Sequence, residues 1–120
     1  NAKKKLIRNK FIVHILDVPG VYEIPIAIKK NIKKYDGFVA LGCVIKGETP
    51  HFDFICSSVF NSILDLSISY NKPIGNGIIT ALNISQAKIR SIENKKNKPN
   101  KGSESANAVV LILKNEPKKN

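Results

Sequence analysis

The chain has 120 residues, enough for one domain with a modest core, and no uninterrupted apolar run approaches the roughly 18 residues of a membrane-spanning helix. Its 20 lysines and arginines against 9 aspartates and glutamates give a formal net charge of +11, so a polyanionic partner must be considered. The two cysteines, Cys43 and Cys56, are expected to be reduced thiols, and without a secretion signal the sequence predicts a cytoplasmic protein.

The first half of the chain alternates short apolar segments with polar turns. Residues 11–16 are apolar apart from one histidine and predict a short strand. Residues 23–34 predict a helix, because isoleucines recur at every fourth position from Ile24. Residues 37–44 predict a second strand, which is apolar throughout and therefore expected to be buried.

The second half repeats this alternation. Residues 50–70 predict a long helix with one apolar and one polar face, and residues 74–80 predict a third strand. Two further helices are predicted over residues 84–93 and 103–114. The long helix places Phe52, Ile55, Cys56, Val59, Phe60 and Ile63 on its apolar face, and Asp53, Ser57, Asn61 and Asp65 on its polar face.

Strands that alternate with helices predict right-handed crossovers and a parallel sheet covered by helices, which is an α/β fold. In such sheets ligands bind beyond the carboxyl ends of the strands. Residues 20–23, residues 44–51 and the turn after Thr80 are therefore expected along one edge of the sheet.

The junction at residues 42–53 is the most informative segment. An apolar strand breaks at Gly47 and a helix follows, with Thr49 suited to its N-cap and Pro50 to its first position. Free backbone N–H groups and the positive end of the helix dipole favour a phosphate or carboxylate there. His51 lies in the first turn, where the dipole disfavours the imidazolium and keeps the ring available as a base. Taken alone, such a histidine is more often structural.

Five motifs follow one another in the chain. The numbers of residues that separate His51 from Asn76 and from Arg90 are consistent with the order and spacing of these motifs. The motifs are VPGVYEIP at residues 18–25, ALGCVIKGETPHFD at 40–53, PIGNGIIT at 73–80, Gln86-Ala87, and Asn100-Lys101-Gly102. Together they closely resemble the lumazine synthase (6,7-dimethyl-8-ribityllumazine synthase) family. The resemblance covers roughly residues 11–113.

This resemblance implies a three-layer α-β-α fold with a flavodoxin-like parallel sheet. It also implies the penultimate step of riboflavin biosynthesis, in which 5-amino-6-(D-ribitylamino)uracil condenses with 3,4-dihydroxy-2-butanone 4-phosphate. The amine forms a Schiff base with the ketone, phosphate leaves, and the ring closes with loss of water. The family uses no metal and no organic cofactor, and none is expected here.

The resemblance also implies roles for individual residues. His51 matches the proton-transferring histidine, and Glu48, Thr49 and Arg90 match the site for the butanone phosphate. Gly47 and Glu104 match supporting positions. The residues matching the ribitylaminouracil site are Val21, Tyr22, Glu23, Cys43, Val44, Ile45, Asn76 and Lys101. In the family, some relatives carry an aromatic residue where this chain has Asn76.

One departure from the family concerns the start of the chain. Relatives carry about one further strand and most of a helix before the position of Phe11, and that strand is central and supplies an aromatic that stacks on the pyrimidine. This chain begins with Asn1 and contains no methionine. We therefore expect an N-terminally incomplete single domain over residues 1–120, with a gap in its sheet. Residues 1–10 would be a helix remnant, 94–101 a charged loop and 115–120 a basic tail.

The resemblance further implies a homopentamer with active sites between subunits. One subunit would contribute the His51 side, and its neighbour the side carrying Asn76, Arg90 and Lys101. Residues 94–99 form a longer and more charged loop than in relatives that build sixty-subunit shells, so pentamers that do not close into shells are predicted. Riboflavin synthase is the expected neighbour in the pathway.

Two alternatives stay open at this point. One is a catalytically lapsed pentamer of the same fold that binds ribityl ligands without turnover. The other is a basic nucleic-acid-binding module. Against the second, the lysines are spread over termini and loops without interleaved aromatics, and abundant lysine, asparagine and isoleucine are typical of an A/T-rich coding sequence. No nucleic acid and no membrane is therefore expected as partner.

Overall fold

The computed structural model describes residues 2–47, 51–91 and 100–115. A short 3-10 turn, Val21–Glu23, precedes the second helix. The helices and strands are α1 (Ala2–Arg8), α2 (Ile24–Lys30), β1 (Phe38–Ile45), α3 (His51–Tyr70), β2 (Ile74–Ala81), α4 (Ile84–Ser91) and α5 (Lys101–Lys114).

The sheet consists of β1 and β2, which pair in parallel from Phe38 opposite Ile74 to Ile45 opposite Ala81. Parallel neighbours need a crossover connection, and α3 supplies it. Both strands therefore end at the same edge. The predicted α/β class with a parallel sheet is confirmed, and both of these strands begin and end within one residue of the predicted bounds.

Helices cover both faces of this sheet. On one face α2 and α3 pack against the strands through the main core cluster. On the other face lies α5, with α1 packed against it. The buried members of the core cluster are Ile24, Ile28, Ile32, Ala40, Val59, Ile63 and Ile78. Ile24, Ile28 and Ile32 are buried at the predicted spacing, although the helix predicted over residues 23–34 ends at Lys30 and Ile32 lies in the turn that follows. On the predicted apolar face of α3, Val59 and Ile63 are buried in the cluster, and Ile55 and Phe60 pack against it.

The predicted strand at residues 11–16 is wrong. This segment has no regular secondary structure, and within the described ranges the only β-ladder joins β1 and β2. A segment forms a β-strand only when it exchanges backbone hydrogen bonds with an adjacent strand. An apolar sequence shows which side chains favour burial, but it does not show that such a partner is present. Ile12 is 88% exposed, so this part of the segment does not contribute to the core.

Helix α3 has 20 residues and a mean hydropathy of 1.2 over its best 18-residue window, which is long and apolar enough to cross a membrane. Length and composition alone are weak evidence, since core helices meet the same criteria. One side of α3 packs on the sheet through Val59 and Ile63, and its other side, which carries Asp53 and Asp65, is exposed.

Helix α5 begins at Lys101, two residues before the predicted start, because Asn100 acts as its N-cap. The Asn100 side-chain oxygen Oδ1 accepts a hydrogen bond from the backbone N–H of Ser103 at 3.0 Å. Asn100 is only 7% exposed, so solvent has little access to compete for this contact. Lys101 therefore belongs to the helix rather than to the charged loop predicted at residues 94–101, and residues 94–99 of that loop lie outside the described ranges.

The cap predicts a measurable stability effect. Replacing Asn100 with alanine removes the acceptor for the Ser103 N–H, and we expect a loss of about 1 kcal/mol in the free energy of unfolding. Asn100→Ser keeps a neutral N-cap acceptor and should be less destabilised than Asn100→Ala. Urea unfolding at unchanged slope measures both. Equal midpoints for Asn100→Ala and Asn100→Ser would contradict the role of the cap.

Candidate functional site

The carboxyl ends of β1 and β2 form one end of the site. They meet directly, since Ile45 lies opposite Ala81 and the Lys46 N–H donates to the Ala81 carbonyl at 2.8 Å. The 3-10 turn packs beside β1, where a Cβ on Gly42 would come within 2.7 Å of Val21 Cγ2. Gly42 thus allows Val21 to lie close against the strand.

His51 is the first residue of α3, and its side chain is exposed. Because α3 follows β1 after a short loop, the helix begins beyond the carboxyl end of the sheet, as predicted for this histidine. The dipole of a 20-residue helix favours negative charge at this end. Glu48, Thr49 and Pro50, which carry the predicted phosphate contacts and the N-cap, lie outside the described residues.

A cavity of about 290 Å³ lies along β2. It brings together three of the predicted site residues, Asn76 from the strand and Lys101 and Glu104 from the first turn of α5. Phe60, Ile78, Ile79 and Thr80 complete its lining. The lining includes Phe60 of α3 and Lys101 and Glu104 of α5, and these two helices cover opposite faces of the sheet. The cavity therefore extends around the edge of β2 that is not paired with β1.

The Gly75-Asn76-Gly77 sequence explains this arrangement. Successive strand residues point to opposite faces. A Cβ on Gly75 would collide with the Ser105 carbonyl oxygen, and one on Gly77 would lie 2.6 Å from Ser105 Oγ, so both glycines allow α5 to pack directly on β2. Asn76 consequently points to the α3 face, beside Phe60.

Asn76 also protects the strand edge. The Phe38 N–H donates to the Pro73 carbonyl and the Lys46 N–H to the Ala81 carbonyl. The backbone N–H and C=O groups of odd-numbered β2 residues therefore point toward β1, and those of even-numbered residues point toward the free edge. The N–H of Ile78 on that edge donates to Asn76 Oδ1 at 3.1 Å. Within the described residues the Asn76 amide nitrogen Nδ2 meets no acceptor, so its donors remain for a ligand.

Among the described residues, His51 is not one of those that line the cavity with Asn76, Lys101 and Glu104, although the cavity reaches Thr80, one residue before the end of β2. Asn76 lies opposite Ala40, five positions before the Ile45–Ala81 pair that ends the sheet, which corresponds to about 16 Å along the strand. Arg90 lies in α4, but its side chain is outside the described part of the chain.

The remaining predicted residues lie near the carboxyl end. Tyr22, Cys43 and Ile45 are exposed, and Val21 and Val44 are half-buried. Gly47 is in open surroundings, because a Cβ at this residue would have no atom within 4 Å. Glu23 lines a second cavity of about 440 Å³ between α2 and residues 16–19.

Sequence reasoning did not name four of the lining residues as site residues. It gives Phe60 only as part of the apolar face of α3, and Ile78, Ile79 and Thr80 only as part of a strand. Phe60 lies at the flank of the apolar face, three residues before Ile63, and this position carried no signal that distinguishes a cavity wall from core. The end of a parallel strand, by contrast, did point to Thr80, because ligands bind there.

The two cysteines differ in environment. Cys43 is exposed, whereas Cys56 is half-buried on α3. Burial, and secondarily the Asp53 carboxylate, raises the pKa of the Cys56 thiol, which keeps this group protonated at neutral pH. Within the described ranges no three histidine, cysteine or acidic side chains lie close enough together to hold a metal ion.

Comparison with known proteins identifies the family. Residues 1–116 match the sequence model of 6,7-dimethyl-8-ribityllumazine synthase. The chain belongs to the lumazine synthase family. The lumazine synthase of Afipia carboxidovorans is 40% identical over an alignment of 120 residues, gaps included, and the alignment covers 94% of this chain and 72% of that protein.

Two further lumazine synthases support this relationship. Those of Bartonella bacilliformis and Bartonella henselae are 41% and 43% identical over 104 residues, which cover 83% of this chain and 68% and 67% of the two relatives. The resemblance found in the sequence motifs is thereby confirmed for the family as a whole. The roles of individual residues stay predictions.

Proposed function

We propose that this chain condenses 5-amino-6-(D-ribitylamino)uracil with 3,4-dihydroxy-2-butanone 4-phosphate to give 6,7-dimethyl-8-ribityllumazine, phosphate and water. Family membership supports the reaction, because relatives that share 40–43% of aligned residues carry the name of this synthase. The family is named for the synthesis of 6,7-dimethyl-8-ribityllumazine, and we assign the chain to the transferases of riboflavin biosynthesis on that basis.

The observation that best supports the site is the shared cavity of Asn76, Lys101 and Glu104. These residues come from β2 and α5, which are far apart in the chain. The family resemblance groups them from the sequence alone, and the shared cavity is an independent observation in favour of that grouping. The cavity offers amide, ammonium and carboxylate groups on one side and apolar walls on the other. A ligand with a planar ring and a polyhydroxyl chain fits this combination, since ribityl hydroxyls can both donate and accept hydrogen bonds.

In the proposed mechanism His51 moves the protons. It would accept a proton as the amine attacks the ketone and return it to the hydroxyl that leaves the carbinolamine as water. It would then take a proton from the carbon next to the imine as phosphate leaves, and return that proton to the hydroxyl that departs as water when the ring closes. The helix end at His51, with Glu48, Thr49 and Arg90, would hold the phosphate until it leaves. The backbone of Cys43, Val44 and Ile45 would bind the uracil edge, and Glu23 would accept hydrogen bonds from ribityl hydroxyls.

The site is proposed to be complete only in an oligomer, as the family implies for a homopentamer. The absence of His51 from the described lining of the Asn76 cavity supports this, because a single chain would then hold two half-sites. Large apolar side chains exposed on α3, Phe54, Leu64 and Ile68, offer surface that a neighbouring subunit could cover. Pentamers without a closed shell remain the proposed form, and a particle near a megadalton on sedimentation would contradict it.

The substrates are small molecules, and riboflavin synthase is the proposed consumer of the product. We place the protein in the cytoplasm, which suits two reduced cysteines. No cofactor is assigned to the reaction, because imine formation and phosphate elimination need only acid–base chemistry.

The experiment that tests the function mixes the assembled full-length protein with both substrates. We expect lumazine absorbance to rise faster than in the same mixture without protein, with one phosphate released for each lumazine formed. Binding of lumazine without any acceleration would instead favour the catalytically lapsed pentamer. Salt-dependent RNA retention with no affinity for lumazine would favour the nucleic-acid-binding module.

A further inference from the structure

The cavity along β2 has one wall that no prediction assigned. Its polar residues, Asn76, Lys101 and Glu104, were expected, but Phe60 of α3 contributes an aromatic ring to the same lining. Of the described residues that line this cavity, Phe60 is the one with an aromatic side chain. It both packs against the core cluster and borders a space that polar groups share.

The position of this ring is fixed by the core. Phe60 is half-buried and packs against the cluster that contains Val59, Ile63 and Ile78. Ile78, which lines the cavity as well, is only 2% exposed. A phenylalanine has two side-chain torsions, and packing on one side restrains both. The ring is therefore already ordered before a ligand enters, which lowers the entropy cost of binding.

The polar groups around the ring match the edge of a planar heterocycle. Asn76 Oδ1 is engaged with the Ile78 N–H, so the amide nitrogen Nδ2 is the group available to a ligand, and it can only donate. Lys101 also donates, whereas Glu104 accepts. Carbonyl oxygens and ring N–H groups of a pyrimidine would find partners here while its flat face lies on an apolar wall.

We infer that Phe60 forms the aromatic wall on which the pyrimidine ring of the substrate packs, making it a specificity-determining residue of the site. The inference rests on the proposed function and extends it to a residue on α3. Offset or edge-to-face contacts between aromatic rings stabilise a complex beyond the burial of area. The phenyl ring has no hydrogen-bond donor for a phosphate, so its loss should affect the heterocycle and not the butanone phosphate.

The test replaces Phe60 with leucine in the assembled full-length protein. Leucine keeps an apolar side chain in the core but removes the ring, so folding should tolerate it. We expect the dissociation constant of 6,7-dimethyl-8-ribityllumazine, measured by equilibrium dialysis, to rise about 3- to 10-fold. The KM for the ribitylaminouracil should rise by a similar factor, with the KM for the butanone phosphate unchanged. Phe60→Tyr retains a ring and should bind close to wild type.

Phe38→Leu is the matched control. Phe38 is also half-buried against the same core cluster, but it lies at the start of β1 and does not line the cavity. It should lose comparable stability without any change in lumazine affinity. Wild-type affinity in Phe60→Leu, or equal weakening in both variants, would overturn the inference and leave the proposed function standing. A wild-type protein that neither binds nor forms lumazine would overturn the proposed function and the inference with it.

Discussion

Replacing His51 with alanine is expected to reduce kcat about 10²-fold, with little change in the affinity for lumazine. General acid–base catalysis typically contributes about 10²–10⁴-fold, and the low end applies because the amine and ketone can also exchange protons with water. His51 is exposed at the first residue of α3, so its removal leaves no cavity in the core. Initial rates of lumazine formation with saturating substrates measure the effect.

His14→Ala is the matched control for this experiment. His14 is exposed as well, and its ring lies 5.3 Å from that of Tyr35, away from the ends of the strands. Its loss should leave kcat unchanged. If His51→Ala retained wild-type turnover, or if it lost lumazine binding in proportion to its rate, the assignment of His51 as the proton-transferring group would be wrong.

Replacing Gly75 with alanine is expected to cost about 3 kcal/mol in the free energy of unfolding. A Cβ at this position would overlap the carbonyl oxygen of Ser105 and lie 2.9 Å from its carbonyl carbon. Both atoms belong to the backbone of α5, so no side-chain rotation can relieve the contact. The helix must move away from β2, which places the effect at the upper end of the range for overpacked cores.

Gly47→Ala provides the same substitution without the contact, since no atom lies within 4 Å of the added Cβ. It should change stability by less than about 0.5 kcal/mol. Urea midpoints compared at equal slope measure both variants. A Gly75→Ala protein as stable as Gly47→Ala would show that α5 does not approach the strand this closely.

The sequence predicted those elements in which local pattern and tertiary environment agree. Ile24, Ile28 and Ile32 repeat every fourth residue in and just after α2, and all three are buried. The bounds of β1 and β2 were accurate because both runs end in turn residues and pair with each other. Residues 11–16 show the opposite case. Their composition is typical of a strand, but a strand depends on a neighbour that a local pattern does not contain.

For the candidate site, the family resemblance assigned Asn76 and Lys101 to the ribitylaminouracil and Glu104 to a supporting position, and all three line one cavity. Their roles stay predictions. The resemblance also assigned His51 to the other side of a subunit interface, and His51 is not among the described residues that line this cavity. Phe60 was missed because the same helical face borders both the core and the cavity.

The hydrogen bond between Asn76 Oδ1 and the Ile78 N–H has a consequence for solubility. An exposed strand edge offers unpaired donors and acceptors that can recruit the strands of other molecules into fibrils. On β2 the donor in the middle of the free edge is already occupied by a side chain from its own strand. An incoming strand would find its ladder interrupted at Ile78, so growth of a cross-β aggregate from this edge is hindered at its centre.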